Sequence, residues 1–208
     1  MRKIFAFSLL AALLVSIAAA SNGPLSDFNE EELETLKEGE AVYRHVEKKG
    51  EDGETKGHGE SYIIINAPVD KCFSIFTEFN KQHLYFPRKT KSEVVKRLDD
   101  NRVLVHKVFE FYVVDVQYHV LYTVDKDKHR VDFEMDPEYP HDIEDTAGYF
   151  KFETIDDKST LFTYAATKVE TGLKVPGFIR NYITSKDLPA VVENVKKRIE
   201  SGGTWEKD

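Results

Sequence analysis

The chain contains one cysteine, Cys72, one tryptophan, Trp205, and two methionines among 208 residues. A lone thiol cannot close an internal disulfide, so packing must supply the stability. Cys72 sits among Phe73, Ile75 and Phe76, the setting of a buried structural thiol rather than of a nucleophile. Basic residues are in deficit: 29 Lys and Arg face 37 Asp and Glu, for a net charge of −8. Nucleic acid is therefore excluded as a partner, because a phosphate backbone selects clustered Lys and Arg. The sequence also lacks His-Glu-x-x-His, Gly-x-Ser-x-Gly, Gly-x-x-x-x-Gly-Lys and paired-cysteine signatures. No catalytic residue, metal ligand or cofactor is assigned.

Long apolar runs are scarce after the first 20 residues. There, Arg2 and Lys3 precede the run Ile4 to Ile17, followed by Ala18, Ala19, Ala20 and Ser21. This order is that of a cleavable export signal, too short for a membrane span, with cleavage after Ala20. The reading predicts a protein secreted across the inner membrane, periplasmic and soluble, with a net charge of −10 once Arg2 and Lys3 are removed. The remainder is globular in composition, the whole chain being 41% hydrophobic and 12% aromatic. It is long enough for one domain with a real core.

Asn29 followed by Glu30, Glu31 and Glu32 predicts a capped helix ending at Gly39. Segments 41 to 48 and 58 to 66 read as a hairpin around a charged, Gly-rich turn, and Pro68 opens a helix with Val69, Cys72, Phe73, Phe76 and Phe79 on one face. Strands follow at 91–98, 101–111, 113–124, 129–136, 147–155 and 159–169. In the third of these, Val114, Val116, Tyr118, Val120, Tyr122 and Val124 alternate with Asp115, Gln117, His119 and Thr123, so one face is buried. The parity of 159–169 is ambiguous, with Phe162, Tyr164 and Ala166 favoured inward. Apolar residues then recur at helical spacing from Val175 through Phe178, Ile179, Tyr182, Leu188, Val192, Val195 and Ile199. The expected organisation is a signal at 1–20, an N-terminal extension at 21–57, a main domain at 58–200 and a flexible tail at 201–208.

A sheet of antiparallel strands followed by one long amphipathic helix requires the helix to cover the sheet's apolar face. Here the sequence resembles the helix-grip START-like, or SRPBCC, superfamily, and within it the polyketide cyclase/dehydrase and coenzyme Q-binding branch. The residues that carry the resemblance are Ile65-Asn66-Ala67-Pro68-Val69, Phe76-Thr77-Glu78-Phe79-Asn80, Gly148-Tyr149-Phe150-Lys151-Phe152, Gly172-Leu173-Lys174-Val175-Pro176-Gly177-Phe178 and Leu188-Pro189 with Val192. Phe150 stands where many members carry Trp, and the helix and strand at 25–48 are additional. The resemblance implies an α+β helix-grip fold, with a curved antiparallel sheet of about seven strands around a long C-terminal helix. It also implies a hydrophobic pocket between sheet and helix.

Phe109, Phe111, Tyr118, Tyr122, Phe133, Phe150, Tyr164, Phe178 and Tyr182 are the candidate ligand-binding residues, read either as dense core or as cavity walls. The seven histidines are scattered. His106 is the one that would place a hydrogen-bonding group inside if its register were inward. The acidic segment 136–145, stiffened by Pro137 and Pro140, reads as a solvated loop, a lid or, lacking the Asp-x-Asp-x-Asp-Gly spacing, a poor calcium site. Around Phe178, the Gly172, Pro176 and Gly177 hinge chemistry and the bases Lys174, Arg180 and Lys186 suit packing, gating, or transient contact with a membrane or transporter. The expected function is binding of an apolar small molecule (lipid, quinone, isoprenoid or polyketide) for transport or sensing. The alternative is a polyketide cyclase or dehydratase using Tyr118, Tyr122 and His106.

Overall fold

The computed structural model describes residues 23–49, 55–111, 114–172 and 187–208. The expected export signal at 1–20, the candidate residues Phe178 and Tyr182, and the rest of segment 173–186 lie outside the described residues. Helix α1 (Glu30–Glu38) opens with the capping box expected at Asn29 and Glu32, and ends at Gly39 in a left-handed conformation, φ 84°. Asn29 Oδ1 accepts from the Glu32 N–H at 3.0 Å while Glu32 returns the bond to the Asn29 N–H at 3.0 Å.

Eight strands form one antiparallel sheet in the order β1-β2-β8-β7-β6-β5-β4-β3. They are β1 (Val42–Lys49), β2 (Thr55–Ile65), β3 (Lys89–Arg97), β4 (Arg102–Phe111), β5 (Val114–Asp125), β6 (Arg130–Met135), β7 (Asp145–Asp156) and β8 (Ser159–Glu170). The count matches the seven expected strands plus the additional one at the N-terminal edge. Helix α2 (Val69–Phe76) follows β2. Pro68 is its N-cap rather than its first helical residue, and Phe79 opens a separate 3₁₀ turn (Phe79–Leu84) instead of ending α2. Thr77 and Glu78 break the helix there, a shift that periodicity of Phe73, Phe76 and Phe79 alone does not register.

Helix α3 (Leu188–Glu200) lies against the sheet with Leu188, Val192, Val195 and Ile199 each no more than 1% exposed. Its far end is fastened to the end of β2, where Glu200 accepts from the Asn66 backbone and side chain at 2.8 Å and Lys196 donates to Ile64 O at 2.7 Å. The core between α3, α2 and the sheet contains Phe76, Phe150, Phe152 and Phe162, whose rings stand 4.5–6.3 Å apart. Cys72 is buried within it, as expected, and burial pushes its thiol up to about 11. Strand β8 is buried on both faces, which explains its ambiguous parity. Phe162 faces the main core, while Leu161 is covered from outside by Phe28 and Leu36 of the N-terminal extension.

The tail at 201–208, expected to be flexible, is tied down. Arg198 donates to Trp205 O at 2.7 Å, and the Lys207 ammonium donates to Phe86 O at 2.7 Å and Lys89 O at 2.6 Å. One aromatic and one long cation near a chain end thus supply anchors that charge-rich composition conceals.

Candidate functional site

Between the concave face of the sheet and the start of α3 lies a cavity of about 90 Å³. Its aromatic wall comes from Phe109 on β4, Tyr118 on β5, Phe133 on β6, Phe150 on β7 and Tyr164 on β8. The cross-strand register builds this wall. Phe150 sits opposite Tyr164, with ring centroids 4.7 Å apart, and Phe109 stacks on Tyr118 at 5.7 Å. Gly148 pairs with Phe133 and carries no side chain because none fits. A Cβ there would lie 2.1 Å from Ala165 O and 2.6 Å from Phe133 Cζ, so the glycine gives the Phe133 ring its place in the wall.

Phe111 and Ile143 close one end, packed with Val116 and Met135. Ile143 belongs to the acidic segment expected as solvent loop, lid or calcium site. The segment lies across the end of β5, where Asp142 N–H donates to Gln117 O at 2.9 Å and His119 contacts Pro140 O at 3.2 Å. Leu188 and Val191 of α3 supply the opposite boundary, and Thr171 and Asp187 line the same space.

Tyr122, expected as a wall residue, is instead sealed in the adjacent core. It is fully buried, stacks on Phe79 at 4.5 Å and donates its hydroxyl to Gln82 Oε1 at 3.0 Å. His106 faces outward, as its pairing with His119 dictates, and the two imidazoles stack at 4.5 Å while His106 reaches Gln117 Oε1 at 3.3 Å. It contributes nothing to the cavity.

Two lysines also stand at inward positions. Lys107 is 4% exposed and lines the cavity, as does the fully buried Lys89. The Lys107 ammonium lies 4.6 Å from the Tyr122 ring centroid, 5.4 Å from Phe133 and 6.0 Å from Tyr118. It has no hydrogen-bond or ion-pair partner among the described residues. Desolvation lowers it to about 7. Lys89 is better supported, donating to Gln82 Oε1 at 3.1 Å and lying 3.7 Å from the Phe86 ring, yet burial and neighbouring Lys107 and Lys207 also hold it well below the usual lysine value. At the mouth of α3, burial raises Asp187 to about 6 against the pull of Arg88, 3.7 Å away. Burial likewise raises the Tyr118 and Tyr164 phenols. The parity that places Phe109 and Phe111 inward on β4 also places Lys107 inward, so the alternation held this signal.

The convex side offers a wider, open depression of about 790 Å³ beside Phe28, Arg44, Tyr62 and Tyr149. Polar groups there are already engaged: Arg44 donates to Glu32 Oε1 at 2.7 Å and to Asp27 O at 2.9 Å, Tyr62 and Tyr149 donate to Glu60, and Lys151 pairs with Glu153 at 2.7 Å. The internal cavity is the candidate site.

No family model and no curated protein matches the sequence. Solved structures do. A STAR-related lipid transfer protein from Xanthomonas axonopodis gives a TM-score of 0.58 at 15% identity, covering 76% of this chain and 93% of that one. The human StAR-related lipid transfer protein 5 gives 0.58 at 8% identity, covering 82% and 92%. One di-domain aromatase/cyclase, from the steffimycin biosynthetic pathway, gives 0.52 at 15% identity, covering 68% of this chain and 44% of that one. At such identities the likeness is one of fold. An eight-stranded antiparallel sheet closed over a C-terminal helix, shared with these structures along most of the described chain, gives this protein the START-like helix-grip fold.

Proposed function

We propose that the protein binds a hydrophobic small molecule in the cavity between the sheet and α3, for transport or sensing. The observation that carries this reading is a void lined by Phe109, Phe133, Phe150, Leu188 and Val191, with only a few polar groups at fixed places. The likeness to two lipid transfer proteins supports it. Lipids, quinones, isoprenoids and polyketides are the classes to which such walls are suited. The void is below the ~300–1,000 Å³ of typical small-molecule sites, so a ligand of that size must part the walls. The N-terminal signal supports export, cleavage after Ala20 and a periplasmic location, which the intact mass of the secreted protein tests: it should begin at Ser21.

A cyclase or dehydratase reading draws on Lys107, Tyr118 and Tyr164 and on the likeness to an aromatase/cyclase, but Tyr122 and His106 do not face the cavity. Binding is preferred because these groups include no hydrogen-bonded acid–base pair. The test is native mass spectrometry with organic extraction of gently purified protein. An apolar molecule should co-purify at near one-to-one ratio and leave on denaturation. Protein that is empty, and stays unchanged in mass and melting temperature against a panel of lipids, quinones, isoprenoids and polyketides, would overturn the reading.

A further inference from the structure

Lys107 is the one cavity group whose chemistry an apolar ligand alone leaves unanswered. A buried ammonium ordinarily has a carboxylate or several hydrogen-bond acceptors, since the desolvation cost is otherwise uncompensated. Among the described residues its attractive contacts are ring faces, at 4.6–6.0 Å, and those attract a cation weakly. Tyr118 and Tyr164 bring hydroxyls to the same cavity, and neither donates to a partner among the described residues. The carboxylate that lines the space, Asp187, is engaged by Arg88 at 3.7 Å. Among the described residues, the void therefore holds an apolar wall, two hydroxyls that donate to no partner and a cation without a counter-ion.

From this arrangement, and resting on the proposed function, we infer that the cavity selects amphiphiles with a single anionic carboxylate head, which Lys107 receives as counter-ion while Tyr118 and Tyr164 donate to it. The alkyl or ring body then lies against Phe133 and Phe150. A neutral alcohol of the same length gains the walls and loses the charge-assisted bond, which is among the stronger polar contacts a desolvated site offers. Binding of the anion also draws a proton onto Lys107, which burial holds at about 7 in the empty protein. The other titratable groups facing it are Lys89 on β3, Tyr118 and Tyr122 on β5, Tyr164 on β8, and Asp187 before α3 with its partner Arg88 before β3. Lys89 shifts in the same direction, so a Lys107 variant is needed to isolate the effect.

The experiment compares decanoate with decan-1-ol by calorimetric titration of the full mature protein between pH 6.5 and 9.5. At pH 6.5 the wild type should prefer decanoate at least tenfold, and the preference should fall as pH rises, while decanol affinity stays level. Lys107→Met should abolish the preference and its pH dependence while still binding decanol. Lys107→Gln is the second variant if the first fails to fold. Equal affinity for the two probes, or a decanoate preference that survives both substitutions, overturns the inference and leaves apolar binding standing. Failure of both probes to bind overturns the two together.

Discussion

At the scale of the residue, Lys107 carries a penalty that its neighbours do not repay. Its ordinary value of 10.5 falls to about 7 in the folded chain. Between those values the unfolded chain holds a proton that the folded chain has released, so stability rises with pH across that window; below about 7 the whole penalty is present. Lys107→Met should therefore stabilise the ligand-free protein by about 1–4 kcal/mol near pH 6.5. The advantage over wild type should shrink steadily toward pH 9.5 in thermal melts. A constant advantage across that range would show that Lys107 is not desolvated. Tyr118→Glu is the opposite case. It introduces a carboxylate on an aromatic wall, and should weaken binding of an apolar probe such as decan-1-ol at least tenfold, which calorimetry reads directly.

At the scale of the element, the additional helix is worth a local test. Asn29→Ala removes the side-chain acceptor of the capping box on α1 and should lower stability by about 1 kcal/mol, seen as a small fall in melting temperature with the sheet intact. Gly148→Ala is the harsher change, because its methyl would meet backbone at Ala165 O and displace Phe133. A loss of about 1–3 kcal/mol is expected in denaturant melts. The strands, both termini of α1 and the apolar stripe of α3 were legible because each rests on local periodicity and capping chemistry. Phe109, Phe111, Tyr118, Phe133, Phe150 and Tyr164 were legible as one facing set for the same reason, and the structure brings them to one cavity. Tyr122 was not separable from them, since strand alternation assigns a face and cannot say where along that face the core is filled. Lys107 and Lys89 were overlooked because lysine is read as solvent-facing, although parity with Phe109 and Phe111 contradicts that for Lys107. Long-range covers, such as Ile143 over Phe111 and Phe28 beside Tyr62, leave no local pattern at all.

At the scale of the whole molecule, the two chain ends meet the domain differently. The N-terminal extension thickens the convex side of β2 and β8, whereas the C-terminal tail wraps back so that Lys207 holds the carbonyls of Phe86 and Lys89, two residues of the cavity wall. Truncation after Gly203 should therefore lower the melting temperature and also weaken probe binding, although no removed residue lines the cavity. The cavity itself is small beside the open depression on the convex face, about 90 Å³ against about 790 Å³, so size alone would direct a ligand outside. Chemistry directs it inside, because the outer polar groups are engaged while the Lys107 ammonium and the Tyr118 hydroxyl donate to no described residue. The decisive measurement is an isotope-filtered NMR spectrum of the protein with bound decanoate. Contacts from the chain protons to the rings of Phe133, Phe150 and Tyr164 are predicted, and contacts to Phe28 and Tyr62 in their place would contradict the account.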